Sequence, residues 1–170
     1  MDIKFVMALV AVSVFSLLLG VVFKSWRSRT ATQEKLFGKP LSALDPFGSV
    51  IDKFDCFYVA TSTQANLLER ITAYGLGMRG RARVTVFTNG LLIIRNGQHS
   101  LALDSHQILS TSTVQTAIDR VVEKDGLIAI DWQPTASVPG FSLTTILRFA
   151  DMHQQETFQR QVVNMRKVLA

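Results

Sequence analysis

A single cysteine, Cys56, is all the chain contains in 170 residues, so no disulfide can form within it. Asn66, Asn89, Asn96 and Asn164 are present, yet none opens an Asn-x-Ser/Thr sequon. Both absences agree with a main domain kept on the cytoplasmic side. Charge is scarce too: 18% of residues are Asp, Glu, Lys or Arg, against about 25% in an average soluble chain. After Phe23 there is no second long apolar run, which excludes a polytopic channel or transporter acting alone. The motifs of chemistry are missing as well. No Gly-x-Ser-x-Gly elbow is present. His99, His106 and His153 have no ligand spacing, and one cysteine cannot build a zinc cage. Cys56 reads as a small buried apolar residue, and Asp119 with Glu123 as a solvated acidic pair. We therefore expect no catalytic residue, no metal and no cofactor.

What is there begins with an uncharged run of 19 residues, Phe5 to Phe23, in which only Ser13 and Ser16 are polar. As a helix it is roughly 28 Å long, close to the hydrocarbon thickness of a bilayer. It is too long for a signal-peptide core and ends in Val21-Val22-Phe23-Lys24 with no Ala-x-Ala site. Residues 1–23 therefore read as an uncleaved transmembrane anchor. The flank after it carries Lys24, Arg27, Arg29, Lys35 and Lys39 against Glu34, whereas the flank before it has Lys4 offset by Asp2. This asymmetry predicts a single-pass protein of the cell membrane with its N-terminus outside and its C-terminal domain in the cytoplasm. Lys24, Trp26, Arg27 and Arg29 fall where the membrane interface is expected.

Residues 1–53 hold seven cations and four anions, and residues 54–170 eleven and nine. Most of the net charge of +5 thus lies beside the membrane, where it fixes topology and attracts anionic lipid. There is no dense basic face interleaved with aromatics, so nucleic acid is not an expected partner.

Residues 24–52 read as a basic juxtamembrane stalk. The helix is expected to continue to about Lys35 and to break at Gly38 and Pro40, with a turn at Asp45-Pro46-Phe47-Gly48. From residue 53 onward the periodicity is that of strands. Phe54–Thr61 is β-rich. Arg81–Thr88 alternates, with Ala82, Val84 and Val86 on one face and Arg81, Arg83 and Thr85 on the other. Asn89-Gly90 and Asn96-Gly97 are two-residue hairpin signals that delimit strands at Leu91–Arg95 and His99–Asp104. Gln107–Ile118 suits an exposed strand, Asp125-Gly126 a turn, and Leu127–Gln133 a strand with Ile128, Ile130 and Trp132 inward. Phe141–Phe149 completes a set of about seven strands.

The last element is helical, spanning 151–168. Asp151 is a good N-cap with Gln154 three residues on, and Phe158, Val162, Met165 and Leu169 form one apolar stripe. Antiparallel strands followed by one amphipathic helix predict a mainly β domain, a partly open barrel whose end the helix closes.

This element order, with Val84-Thr-Val-Phe-Thr-Asn-Gly-Leu-Leu-Ile-Ile-Arg95 and Asp125-Gly-Leu-Ile-Ala-Ile-Asp-Trp132, resembles the bacterial pleckstrin-homology-like (PH-like) proteins. It is similar in particular to membrane-anchored actinobacterial members often labelled as export or transporter proteins. The resemblance implies a fold and an anchoring mode, and no catalytic signature.

Gly75-Leu-Gly77-Met-Arg-Gly80 matches G-x-G-x-x-G, but a strand follows where a dinucleotide site needs a helix. One cluster is left as a candidate site. Arg79, Arg81 and Arg83 recur at a spacing of two, which on a strand puts them on one face, and Arg70 precedes the same loop. Arg is suited to bonding phosphate or carboxylate oxygens in pairs. In eukaryotic PH domains the first two strands carry basic residues that hold inositol phosphates, so the resemblance implies a ligand role here. The expected function is a non-enzymatic binding or scaffolding module at the cytoplasmic membrane surface, taking an anionic lipid headgroup or an acidic protein. The alternative is an accessory subunit of a membrane transport or export complex, for which Ser16-x-x-x-Gly20 offers a helix-packing face. A lipid-modifying or hydrolytic enzyme is disfavoured.

Overall fold

The computed structural model describes residues 3–38, 40, 47–114, 116–117, 120–121, 126–135, 137 and 140–167. Its first element, α1 (Ile3–Phe37), is one continuous helix. It is long and apolar enough to cross a membrane, and the apolar side chains of residues 5–23 are exposed. Gly38 ends it in a left-handed conformation (φ 64°), its N–H donating to the Glu34 carbonyl at 3.0 Å. A glycine takes that conformation without steric cost. The expected turn at Asp45-Pro46 lies partly outside the described residues.

Strands follow: β1 (Val50–Thr63), β2 (Asn66–Arg70), β3 (Gly80–Phe87), β4 (Gly90–Arg95), β5 (Leu101–Asp104), β6 (Ile108–Val114), β7 (Thr116–Ala117), β8 (Arg120–Val121), β9 (Leu127–Trp132) and β10 (Leu143–Phe149). The main sheet is antiparallel in the order β5-β4-β3-β1-β10-β9-β6, with β2 added beside the end of β1 and β7-β8 paired separately. The sheet does not close on itself, because β5 and β6 stand at its two ends. The chain thus has a PH-like fold with helix α2 (Met152–Lys167) last.

The alternation read from the sequence is realised. Ala82, Val84 and Val86 are buried while Arg81 and Arg83 are exposed, although Thr85 on the arginine side is buried too. Ile128, Ile130, Trp132, Leu143, Leu147 and Phe149 face the core. Asp151 Oδ1 accepts from the Gln154 N–H at 2.8 Å, capping α2 as expected. Phe158, Val162 and Met165 are buried, whereas Leu169 lies outside the described residues, as do Asp119, Glu123 and Asp125. Phe158 meets Phe149 and Phe54 with ring centroids 5.0 and 5.8 Å apart, so α2 seals the sheet through an aromatic triplet. Inside runs a buried hydrogen-bonded chain: Trp132 Nε1 donates to Thr145 Oγ1 (3.0 Å), Thr145 meets Thr61 (2.7 Å), and Thr61 meets the Tyr58 hydroxyl (2.6 Å). The Tyr58 hydroxyl in turn donates to the Leu76 carbonyl (2.8 Å).

Several boundaries differ from the sequence reading. β1 starts at Val50, ahead of Phe54, because Val50 and Asp52 pair with Phe87 and Val86. The β3–β4 turn is Thr88-Asn89, with Phe87 paired to Gly90, rather than Asn89-Gly90. Phe47 and Ser49 carbonyls take the turn's N–H groups, and a Cβ at Gly90 would lie 2.6 Å from the Leu103 carbonyl. Residues 96–100 form a longer connection, because the Arg95 guanidinium holds the His99 carbonyl (2.6 Å). β2 was not anticipated.

Candidate functional site

The candidate face follows from strand register. Phe57 on β1 stands opposite Arg81 on β3 and opposite Arg148 on β10, so one row across three strands reads Arg148–Phe57–Arg81. The adjoining row pairs Asp55 with Arg83, and Arg83 with Ile94 on β4. These side chains leave the sheet on the side away from the core: Phe57 is 40% and Ile94 44% exposed, and Arg81, Arg83 and Arg148 are exposed. Together they line an open concavity of about 890 Å³. The face is thus apolar at its centre and cationic at its flanks.

The arginine ladder of the sequence is only partly of one kind. Arg83 Nε lies 2.7 Å from Asp55 Oδ1, an exposed ion pair. Its hydrogen bond and charge hold Asp55 below the usual carboxylate range and raise Arg83. Arg83 is therefore already matched within the fold, while Arg81 and Arg148 flank an aromatic ring. Arg79 is exposed and lies in the loop before β3. Arg70 stands apart: it pairs with Ser62 at the far end of β1, and its aliphatic stem packs where a Cβ on Gly77 would fall, at 3.0 Å. The glycines of Gly75–Gly80 serve this close packing, since a Gly77 Cβ would also meet the Ile71 carbonyl at 2.7 Å. Sequence reasoning missed Phe57 and Arg148. Phe57 was legible, because Phe54, Cys56 and Tyr58 facing inward forces it outward. Arg148 needed the β1–β10 register.

The residues of α1 after the apolar run divide in the same way. Trp26 is exposed on α1, its ring 6.2 Å from Phe23. Arg29 reaches Glu69 at 3.7 Å. One helical turn on, Gln33 is buried, and its Oε1 accepts from the Thr72 N–H (2.8 Å), the Thr72 hydroxyl (3.0 Å) and the Ala73 N–H (3.2 Å). Its amide donates to the Arg70 carbonyl at 3.3 Å. The last turns of α1 are thereby fastened to the β2–β3 connection, so part of the segment read as a stalk packs on the domain.

Two further titratable groups are held within the fold. Burial pushes the Cys56 thiol up to about 12, with the nearby Asp55 charge adding to it, which favours the neutral thiol. Arg95 is buried beside the Tyr58 ring (4.9 Å) and bonds the His99, Gly75 and Tyr74 carbonyls. Among the described residues no group of His, Cys, Asp and Glu could hold a metal ion.

A family model described as "Bacterial PH domain-like" matches residues 41–163. No curated protein matches the chain. Among solved structures, a chain of "The 8S snRNP Assembly Intermediate" is similar at 9% identity, over 78% of this chain and 89% of that one, with a TM-score of 0.49. The C-terminal domain of an unknown protein from Leishmania infantum is similar at 11% identity, over 68% and 84%, with a TM-score of 0.41. A chain from a study of the PH and C1 domains of the Vav1 exchange factor gives 10%, 84%, 32% and a TM-score of 0.41.

Proposed function

The chain belongs to the bacterial PH domain-like family, and from that premise we propose that it is a membrane-tethered binding module. On this reading α1 crosses the membrane once, N-terminus outside. The PH-like domain stands at the cytoplasmic surface, and the Arg148–Phe57–Arg81 row takes an acidic segment of a protein partner. The run of Lys24, Arg27 and Arg29 supports the orientation.

The observation that carries the ligand class is the exposed Phe57 ring set between two arginines. Aromatic residues and Arg are the side chains that dominate protein–protein contact energies. Arg forks bond carboxylates in pairs, and the ring fills the apolar gap between them. A polyphosphate headgroup needs cations without a competing carboxylate, whereas here Asp55 sits 2.7 Å from Arg83. The interleaving of charge and ring suits a peptide better than an inositol phosphate.

Selection from a random peptide library on the full-length protein in nanodiscs tests this. Enrichment of acidic peptides with an apolar residue is expected, and its loss in the double variant Arg81→Glu, Arg148→Glu. No charge bias, or the same peptides enriched by both proteins, would overturn it.

A further inference from the structure

The floor of the concavity is made of interior strands. In the order β5-β4-β3-β1-β10-β9-β6, each of β4, β3, β1 and β10 has a hydrogen-bonded neighbour on both sides. Asn96, just past β4, is tied in as well, its N–H donating to the Arg81 carbonyl at 3.2 Å. The floor therefore offers a ligand side chains and no open ladder of backbone groups. Such a ladder belongs to the end strands β5 and β6. Each of these stands three strands from β1, about 14 Å away.

This sets the conformation of an occupant. An extended segment laid on the floor would lose water from its own N–H and C=O groups and find no partners for them. A helix satisfies those groups internally, and helix on sheet is one of the stable layer packings.

The apolar contacts have a spacing that a helix matches. Phe57 and Ile94 are both exposed and both line the concavity. Phe57 stands opposite Arg81, and Ile94 stands opposite Arg83, two positions along β3. Two strand steps and one two-residue step put Phe57 and Ile94 about 12 Å apart. Residues seven apart on one face of a helix are about 10.5 Å apart, within reach of both. Arg81 and Arg83 fall on opposite sides of the line from Phe57 to Ile94, and Arg148 lies beyond Phe57. Arg83 is matched by Asp55, so the carboxylates of an occupant are called for at Arg81 and Arg148.

We propose that the segment bound here is an amphipathic acidic helix of a protein partner. Its apolar residues, seven apart, seat on Phe57 and Ile94, and acids beside them meet Arg81 and Arg148. The proposal rests on the reading of this face as a site for an acidic protein segment, and adds the conformation and spacing of that segment. It also makes Ile94, outside the Arg148–Phe57–Arg81 row, the second apolar anchor.

The test is calorimetric titration of the full-length protein in nanodiscs with three peptides. The first carries two leucines seven apart among alanines and glutamates, so that a helix gathers them on one face. The second has the same composition with the leucines two apart, the pattern of an extended chain. The third is the first with a proline midway between the leucines, which breaks the helix. The first is expected to bind roughly tenfold or more tightly than the other two. Ile94→Ala should weaken it several-fold with the melting midpoint unchanged. Binding of the second or third peptide as tight as the first, and lost in the double variant Arg81→Gln, Arg148→Gln, would overturn the helix and leave the acidic reading intact. Binding that the double variant keeps, or no binding by any of the three, would overturn that reading and the helix with it.

Discussion

Thirty-nine positions after Gln33, the backbone N–H and the hydroxyl of Thr72 both donate to its Oε1, at 2.8 and 3.0 Å. One glutamine side chain thus joins the apolar helix to the sheet domain. The helix that carries the apolar run does not hang from a slack linker but ends in a specific polar contact with the β2–β3 connection.

Gln33→Ala is expected to leave the Thr72 and Ala73 N–H groups without their acceptor. Unsatisfied buried donors cost about 1–3 kcal/mol each, less where water reaches them. Denaturant unfolding in detergent should show a loss of about 1–3 kcal/mol, while Gln161→Ala, which removes the α2 amide that donates to Asp52 Oδ2 at 3.0 Å, tests whether any lost polar side chain does the same. Full stability in Gln33→Ala would make the docking incidental.

A chain from Leu44 to Ala170 is expected to fold cooperatively, since the aromatic triplet and the Tyr58–Thr61–Thr145–Trp132 chain lie wholly within it. Its melting midpoint should fall below that of the full chain, because the Gln33 contact is gone. An aggregate from which no folded domain is recovered would show that the helix completes the domain. An unchanged midpoint would show that it contributes nothing to it.

Asp55→Asn should release Arg83 from its ion pair and add one net positive charge to the face. The pair is fully exposed and screened by water, so stability should barely change. Affinity for an acidic peptide should rise by a few-fold at most. Weaker binding would mean that Asp55 itself contacts the ligand. The pair also has a sign in pH: because Asp55 is held low, its stabilising effect is present above the ordinary carboxylate pKa. It is lost as pH falls through the lowered one.

A cytoplasm-only reporter fused after Ala170 should be active and the same reporter before Met1 inactive. Neutralising Lys24, Arg27 and Arg29 together should weaken that preference. An active periplasmic reporter at the C-terminus would reverse the orientation.

The legible part of the fold was that written in local periodicity. Arg81 to Val86 alternates so plainly that both faces of β3 could be assigned, and Asp151 with the Phe158–Val162–Met165 stripe marked α2. What escaped depends on contacts distant in sequence. Gly90 reads as the second residue of a hairpin turn, but the approach of the Leu103 carbonyl and the Phe47 ring commits it to β4. β2 has no pattern of its own, and it exists because Ser62 and Thr63 offer an edge to pair with. Of the candidate face, the arginines were visible as a spacing of two. That Arg148 completes the row across Phe57 required the register of β1 with β10.

The central claim is that the Arg148–Phe57–Arg81 row binds an acidic protein segment, and calorimetric titration tests it most directly. The titrant is a short glutamate-rich peptide with a central phenylalanine, added to the full-length protein in nanodiscs, with phosphatidylglycerol vesicles as the competing anion. The account predicts salt-sensitive binding of the peptide that falls at least tenfold, about 1.4 kcal/mol, in the double variant Arg81→Gln, Arg148→Gln. It predicts a similar fall in Phe57→Ala, with the melting midpoint of each variant unchanged. Equal affinity in wild type and double variant, or displacement of the peptide by the vesicles, would contradict it.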